Sequence, residues 1–190
     1  MSRRVAVAAL AVLVLVAAGL ALRPSRSTGS SPRLAALRTA ARLDPCPAGL
    51  GERLPDLRLE CLGGGSAVRL RGPAPGHPVL VNIWATWCGP CVREVPVLVD
   101  FARRAAGRVS VVGVDTEDEP AQALTFAKQY AMHYPSVVDP DGTVLRAYGA
   151  GPPITLLLDA TGRVVFTHRG ELHSAQQVDA LVAEHLGVRP

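Results

Sequence analysis

Val79-Leu-Val-Asn-Ile-Trp84, followed by Ala85-Thr-Trp-Cys88-Gly-Pro-Cys91, is the stretch on which the fold turns. The first six residues form a nearly continuous apolar run, as expected of a strand buried on both faces. Two cysteines with two residues between them follow at once. There the spacing changes to a helical one: Val92, Val95, Leu98, Val99 and Ala102 fall on one side of a helix expected over residues 89–106. Cysteine does redox chemistry as a thiolate, and a helix N-terminus stabilises negative charge. Cys88 is therefore expected at the exposed helix start as the attacking thiol. Cys91, one turn further in and more buried, is expected to be the resolving thiol. Gly89 and Pro90 keep the ring between the two sulfurs closable, with Pro90 at an early position where no N–H is needed. Trp87 precedes the pair.

Working outward, residues 58–61 and 68–70 read as short strands around Gly63-Gly-Gly65. Residues 109–114 read as a second buried strand, and residues 119–132 as a helix with Ala123, Leu124, Ala127 and Tyr130 on its apolar face. Ile154–Leu158 is a third strand, and residues 163–168 return from a turn at residues 159–162. Residues 174–186 form a terminal helix capped by Ser174. The order is βαβα, a hairpin, then α, which makes an α/β sandwich with a mixed sheet. Asp115-Thr-Glu-Asp-Glu119 reads as a solvated loop and Asp139-Pro-Asp-Gly142 as a turn. Neither reads as a metal site, and His168, His173 and His185 have no spacing partner.

The chain has 190 residues, 48% hydrophobic and 19% charged, which excludes a disordered or collagen-like protein. Aromatics are 4%, so the core is built from Ala, Val and Leu. The net charge of +4 is uneven: residues 1–53 carry eight Arg against Asp44 and Glu52, while the remainder is close to neutral. The body thus lacks the extended basic face of a nucleic-acid binder.

Residues 5–22 are eighteen apolar or small residues without a charge, closed by Arg23-Pro24. On run length they read as a membrane anchor; the alternative is a signal peptide cleaved near Gly19-Leu20-Ala21. Arginines after the run favour an inside-facing body, whereas the cysteines favour export and are given the greater weight. The organisation expected is an anchor or signal over 1–22, a linker over 23–53 with an optional short helix at 34–43, and a domain over 54–187.

A lone CxxC is also half of a zinc site. The other half would need more ligands, and Cys46 and Cys61 are fifteen residues apart while His77 and His133 stand alone. The strand–WCGPC–helix context favours redox chemistry. Trp87-Cys-Gly-Pro-Cys91 after an apolar strand resembles thioredoxin. The longer run from Val81 to Pro96, with Tyr134-Pro-Ser-Val-Val-Asp-Pro-Asp-Gly142 and Gly151-Pro-Pro-Ile-Thr-Leu-Leu-Leu-Asp-Ala-Thr-Gly162, resembles the TlpA/ResA-like family of exported, often membrane-tethered thioredoxins. The resemblance covers roughly residues 54–187.

It implies a thioredoxin-like sandwich and a thiol–disulfide oxidoreductase that needs no cofactor or metal. Pro153 matches the family's cis-proline, with Pro152 before it where an aliphatic residue or Thr is usual. Glu94 matches an acidic residue near the thiols that can relay a proton and raise thiol pKa; a solvated helix glutamate is the alternative. Asn82 stands where cytoplasmic thioredoxins place a buried Asp. In an exported chain, Cys46 and Cys61 would form a second, structural disulfide, the alternatives being an electron-relay pair or free thiols. The expected partners are protein thiols and disulfides, a transmembrane thiol donor, and the membrane through residues 5–22, with no nucleic acid. The expected role is reduction of exported proteins, for example in cytochrome c maturation. A disulfide-forming oxidant and a Cu- or Zn-binding CxxC module are the competing readings.

Overall fold

The computed structural model describes residues 31–189, so the apolar run at 5–22 lies outside the described residues. Among those described, no helix is long and apolar enough to cross a membrane. The elements are α1 (Pro32–Ala41), β1 (Arg58–Leu59), β2 (Val68–Arg69), β3 (Val79–Trp84), α2 (Gly89–Arg104) and β4 (Ser110–Thr116), followed by α3 (Pro120–Gln129), β5 (Ser136–Asp139), α4 (Thr143–Tyr148), β6 (Ile154–Leu158), β7 (Val164–Arg169) and α5 (Ala175–Leu186).

Five strands form one mixed sheet in the order β5-β4-β3-β6-β7. β3 is central, parallel to β4 and antiparallel to β6, and all six of its residues are buried. Alternation sends Leu80, Asn82 and Trp84 to the face covered by α1, α2, α3 and α5, where Val95, Leu98, Phe101, Ala123, Val178 and Val182 complete the core. Val79, Val81 and Ile83 face the opposite layer of α4, the β1–β2 hairpin and Leu50 and Leu54. Each fully buried Val, Leu or Ile contributes about 1.5–3 kcal/mol, so the strand carrying Asn82 is anchored from both sides.

Residues 31–53, expected mostly as linker, hold α1. Ser31 Oγ accepts the Leu34 N–H at its start, and α1 packs against α3. Further on, the Asp44 N–H donates to His133 O at 2.6 Å, and Leu50 is buried. The Cys46–Cys61 disulfide lies at the edge of the sheet. There Leu62 N–H donates to Ser136 O and Val138 N–H to Glu60 O, so the segment around Cys61 covers the exposed edge of β5.

Two stretches of the chain differ from the sequence reading. β5 and α4 flank the expected turn at residues 139–142, closed by the Gly142 N–H donating to Asp139 O, where the sequence reading had no strand or helix on either side. The Asp139 carboxylate accepts the N–H groups of Thr143, Val144 and Leu145, capping α4. β4 runs on to Thr116, so Asp115 is not in a solvated loop; it is fully buried on the strand, in register with Trp84.

Candidate active site

The Ala85–Trp87 turn carries the chain from the C-terminal end of β3 into α2. It is fixed by the neighbouring loop after β4: Thr86 N–H donates to Asp118 Oδ2 at 2.6 Å and Trp87 Nε1–H to Glu117 O at 3.1 Å. Glu117, whose carbonyl accepts from the indole, takes a left-handed φ of 51°. Trp87 is 56% exposed, the one large hydrophobic side chain among the described residues standing in solvent.

Cys88 is the N-cap residue of α2, with Gly89 and Pro90 in the first turn. It is disulfide-bonded to Cys91, and its Sγ accepts the Cys91 backbone N–H at 3.1 Å. Cys88 is 4% and Cys91 0% exposed. Cys88 is thus buried rather than at an exposed helix start as expected, with only slightly more residue exposure than Cys91. Its sulfur lies where the first-turn N–H groups converge, so a thiolate there is favoured by both hydrogen bonding and the helix dipole. The helix continues through Pro96, which forfeits one internal hydrogen bond.

Glu94 lies one turn beyond Cys91, buried beneath the helix. Its Oε1 accepts from Asn82 Nδ2 at 2.8 Å and its Oε2 from Leu172 N–H at 3.0 Å. Burial pushes its carboxyl up to about 7, against the two hydrogen bonds, which favour the anion; the nearby Glu171 charge adds to the rise. Glu94 is thus no solvated helix glutamate. Asn82 Nδ2 also reaches Thr155 Oγ1 at 3.4 Å. By strand register Thr155, Asn82, Gly113 and Ser136 form one polar row across four strands under α2. A Cβ at Gly113 would meet Ser136 Oγ and come within 2.7 Å of Trp84 Nε1, so only glycine fits there.

The Pro152–Pro153 bond is cis. Pro153 immediately precedes Ile154, which pairs with Ile83, so one further step of the register sets Pro153 beside Trp84 at the edge that bears the CxxC turn. The structure thus brings Trp87, Cys88, Gly89, Pro90, Cys91, Glu94, Asn82 and Pro153 to one end of the sheet. It leaves Cys46 and Cys61 elsewhere, at the β5 edge. A cavity of about 810 Å³, lined by Val79, His77, Ser110, Val111 and Tyr134 among others, opens near the start of β3 and contains none of these site residues.

Three side chains here escaped sequence reasoning. Asp118 holds the CxxC turn. Tyr134 is buried with its hydroxyl lacking a protein partner, and its pKa is raised by burial and then by the Glu94 charge. Asp115 is buried with neither oxygen partnered, its carboxyl pushed up to about 8 by desolvation and by the charges of Asp118 and Asp139. The acidic run 115–119 was visible, but only the strand extension reveals which of its members turns inward. Among the described residues no group of three or more His, Cys, Asp or Glu side chains is arranged to hold a metal ion.

The Redoxin family matches residues 50–182. The chain is 34% identical over 126 residues to the thiol:disulfide interchange protein DsbE of Xylella fastidiosa, covering 65% of this chain and 63% of that protein. It is 31% identical over 98 residues to the thiol–disulfide oxidoreductase ResA of Bacillus thuringiensis, covering 50% and 57%. In both cases less than two thirds of the relative's length is matched. The crystal structure of the exposed lipoprotein thioredoxin of Streptococcus pneumoniae is similar with a TM-score of 0.57 and 27% identity, covering 68% of this chain and 98% of that one. With a match over well more than half its length and this strand–CxxC–helix geometry, the chain belongs to the Redoxin family, among thioredoxin-fold proteins of the TlpA, ResA and DsbE type.

Proposed function

We propose that this protein is an extracytoplasmic thiol–disulfide oxidoreductase that reduces disulfides of exported proteins by dithiol exchange at Cys88 and Cys91. The observation that carries the reading is the sulfur pair at the N-terminus of α2, with Cys88 Sγ accepting the Cys91 N–H. In the reduced protein the Cys88 thiolate attacks a substrate disulfide. A Cys88–substrate S–S bond forms, the substrate S–S bond breaks, and one substrate sulfur leaves as a thiolate. Cys91 then gives up its proton, with Glu94 as acceptor, and attacks Cys88 Sγ. The Cys88–Cys91 bond forms and the second substrate thiolate departs. Two electrons pass to the substrate. A carboxyl poised near 7 exchanges protons readily at neutral pH.

Trp87 and the exposed Gly151, next to the half-buried Pro152 and the buried Pro153, offer the surface on which an extended substrate segment would lie. The external location is supported by the Cys46–Cys61 disulfide, read as structural, by the apolar run at residues 5–22 as a tether, and by the exposed lipoprotein among the similar structures. Continuous reduction outside the membrane needs electrons, for which a transmembrane dithiol is the fitting donor class. Apocytochromes c are the substrate class to which the resemblance points.

The test is insulin reduction by dithiothreitol with catalytic amounts of the reduced protein. Acceleration that vanishes in Cys88→Ser supports the proposal. A protein that instead oxidises reduced peptides and equilibrates near −120 mV is an oxidant, and one that holds stoichiometric Cu or Zn through both sulfurs is a metal module; either result overturns it.

A further inference from the structure

We propose that Arg93 and Glu171 are positioning residues for the active-site carboxylate: their ion pair pins the loop between β7 and α5 so that Leu172 N–H stays on Glu94. The inference rests on the reading that Glu94 exchanges the Cys91 proton. Two consecutive residues of α2 grip two consecutive residues of the loop. Outside, Arg93 donates from Nε to Glu171 Oε2 at 2.9 Å and from Nη2 to the same oxygen at 2.6 Å, with a longer bond to Oε1. Inside, Leu172 N–H donates to Glu94 Oε2 at 3.0 Å, and the Leu172 side chain is buried in the core beside α2.

The Arg93 side chain is 62% exposed, and a pair of that kind adds little to global stability. It is nonetheless oriented, with Nε and Nη2 both directed at Glu171 Oε2 in charge-assisted bonds. The anchor acts on Glu94 in two opposed ways. It holds the backbone N–H that favours the Glu94 anion, and it brings up the Glu171 charge that disfavours it, neutralised in part by Arg93 itself. His173, exposed, approaches Glu171 Oε1 with its Nδ1 at 3.4 Å. The other groups set against Glu94 are Asn82 from β3, the Tyr134 hydroxyl from the segment before β5, and the Cys91 turn of its own helix.

These opposed effects give the two variants opposite signs. Arg93→Gln removes the anchor and leaves the Glu171 charge uncompensated, so Glu94 titrates higher. Glu171→Gln keeps an amide oxygen for Arg93 and removes the charge, so Glu94 titrates lower. Each shift is expected at roughly half a pH unit, the size that an exposed charge pair supports. Arg93→Lys, which keeps the charge, stays near the parent value. The readout is the side-chain carboxyl ¹³C resonance of Glu94 followed by NMR against pH in the oxidised protein, assigned with Glu94→Gln. Shifts of the same sign, or none in either variant, overturn the proposal. The titration needs no substrate, so it stands apart from the exchange reaction. If the resonance shifts as expected while the pH profile of insulin reduction stays fixed, the positioning holds and the proton role of Glu94 falls.

Discussion

Cys91 donates its backbone N–H to Cys88 Sγ at 3.1 Å, so the sulfur at the cap of α2 is the one that the helix terminus favours as an anion. Cys91 Sγ lies behind it, out of solvent. The expected consequence is a fixed order of attack. Cys91→Ser accumulates mixed disulfides with substrate proteins through Cys88, seen as higher-mass bands that dithiothreitol removes. Cys88→Ser accumulates few or none. Equal trapping by both variants would show that burial does not decide the order.

Glu94 gives a stability signature separate from activity. Its carboxyl is raised from 4.5 to about 7 in the folded protein, chiefly by burial. The folded state therefore holds the proton more tightly than the unfolded chain. The stability so gained is complete below about 4.5 and is lost as pH rises toward 7, a loss on the order of 3 kcal/mol. Glu94→Gln removes the titration, so denaturant melts should show the variant gaining on the parent as pH goes from 5 to 8. The same variant should slow insulin reduction about 10²-fold, the lower end of what a positioned acid–base group contributes. A parent-like pH dependence of stability in Glu94→Gln would contradict the assignment.

Asp115 provides a second window. Its carboxyl rises from 3.8 to about 8, with no protein partner on either oxygen. Stability attached to its proton is present below about 3.8 and is lost as pH climbs to 8. Asp115→Asn should match the parent near pH 4 and exceed it in urea midpoint at pH 9. A midpoint lower than the parent's at pH 9 would mean that the Asp115 carboxylate has a stabilising partner when charged.

Cys46 and Cys61 close a loop of fifteen residues. Loop-closure entropy assigns such a bridge about 3 kcal/mol. The double variant Cys46→Ser with Cys61→Ser should melt several degrees lower yet keep the insulin-reduction rate at a temperature where it remains folded. Loss of activity in the folded double variant would make this pair part of the electron path.

The strand–WCGPC–helix unit was legible because three independent signals coincide in thirteen residues: an apolar run, a CxxC, and a switch to helical spacing with an early proline. Ser174 as the cap of α5 was legible for a similar local reason, its Oγ accepting the Gln177 N–H. β5 was not, since four residues give no readable period, and their burial depends on β4 on one side and the Cys61 segment on the other. Asp115 defeated the reading because acidic neighbours in sequence suggest solvent, while its register with Trp84 turns it into the core. The Leu172 N–H on Glu94 is a backbone group brought from seventy-eight residues away, and no side-chain pattern announces it.

The central claim is that Cys88 and Cys91 interconvert reversibly between disulfide and dithiol. The most direct measurement is a redox titration of the purified protein in dithiothreitol buffers, followed by acid quenching, thiol alkylation and mass spectrometry of the peptide spanning Trp87 to Arg93. The result expected is a single two-electron transition, with both cysteines alkylated together and a midpoint in the reducing range around −270 mV typical of thioredoxin. A pair that stays bonded, or stays alkylatable, across the whole range would contradict the account.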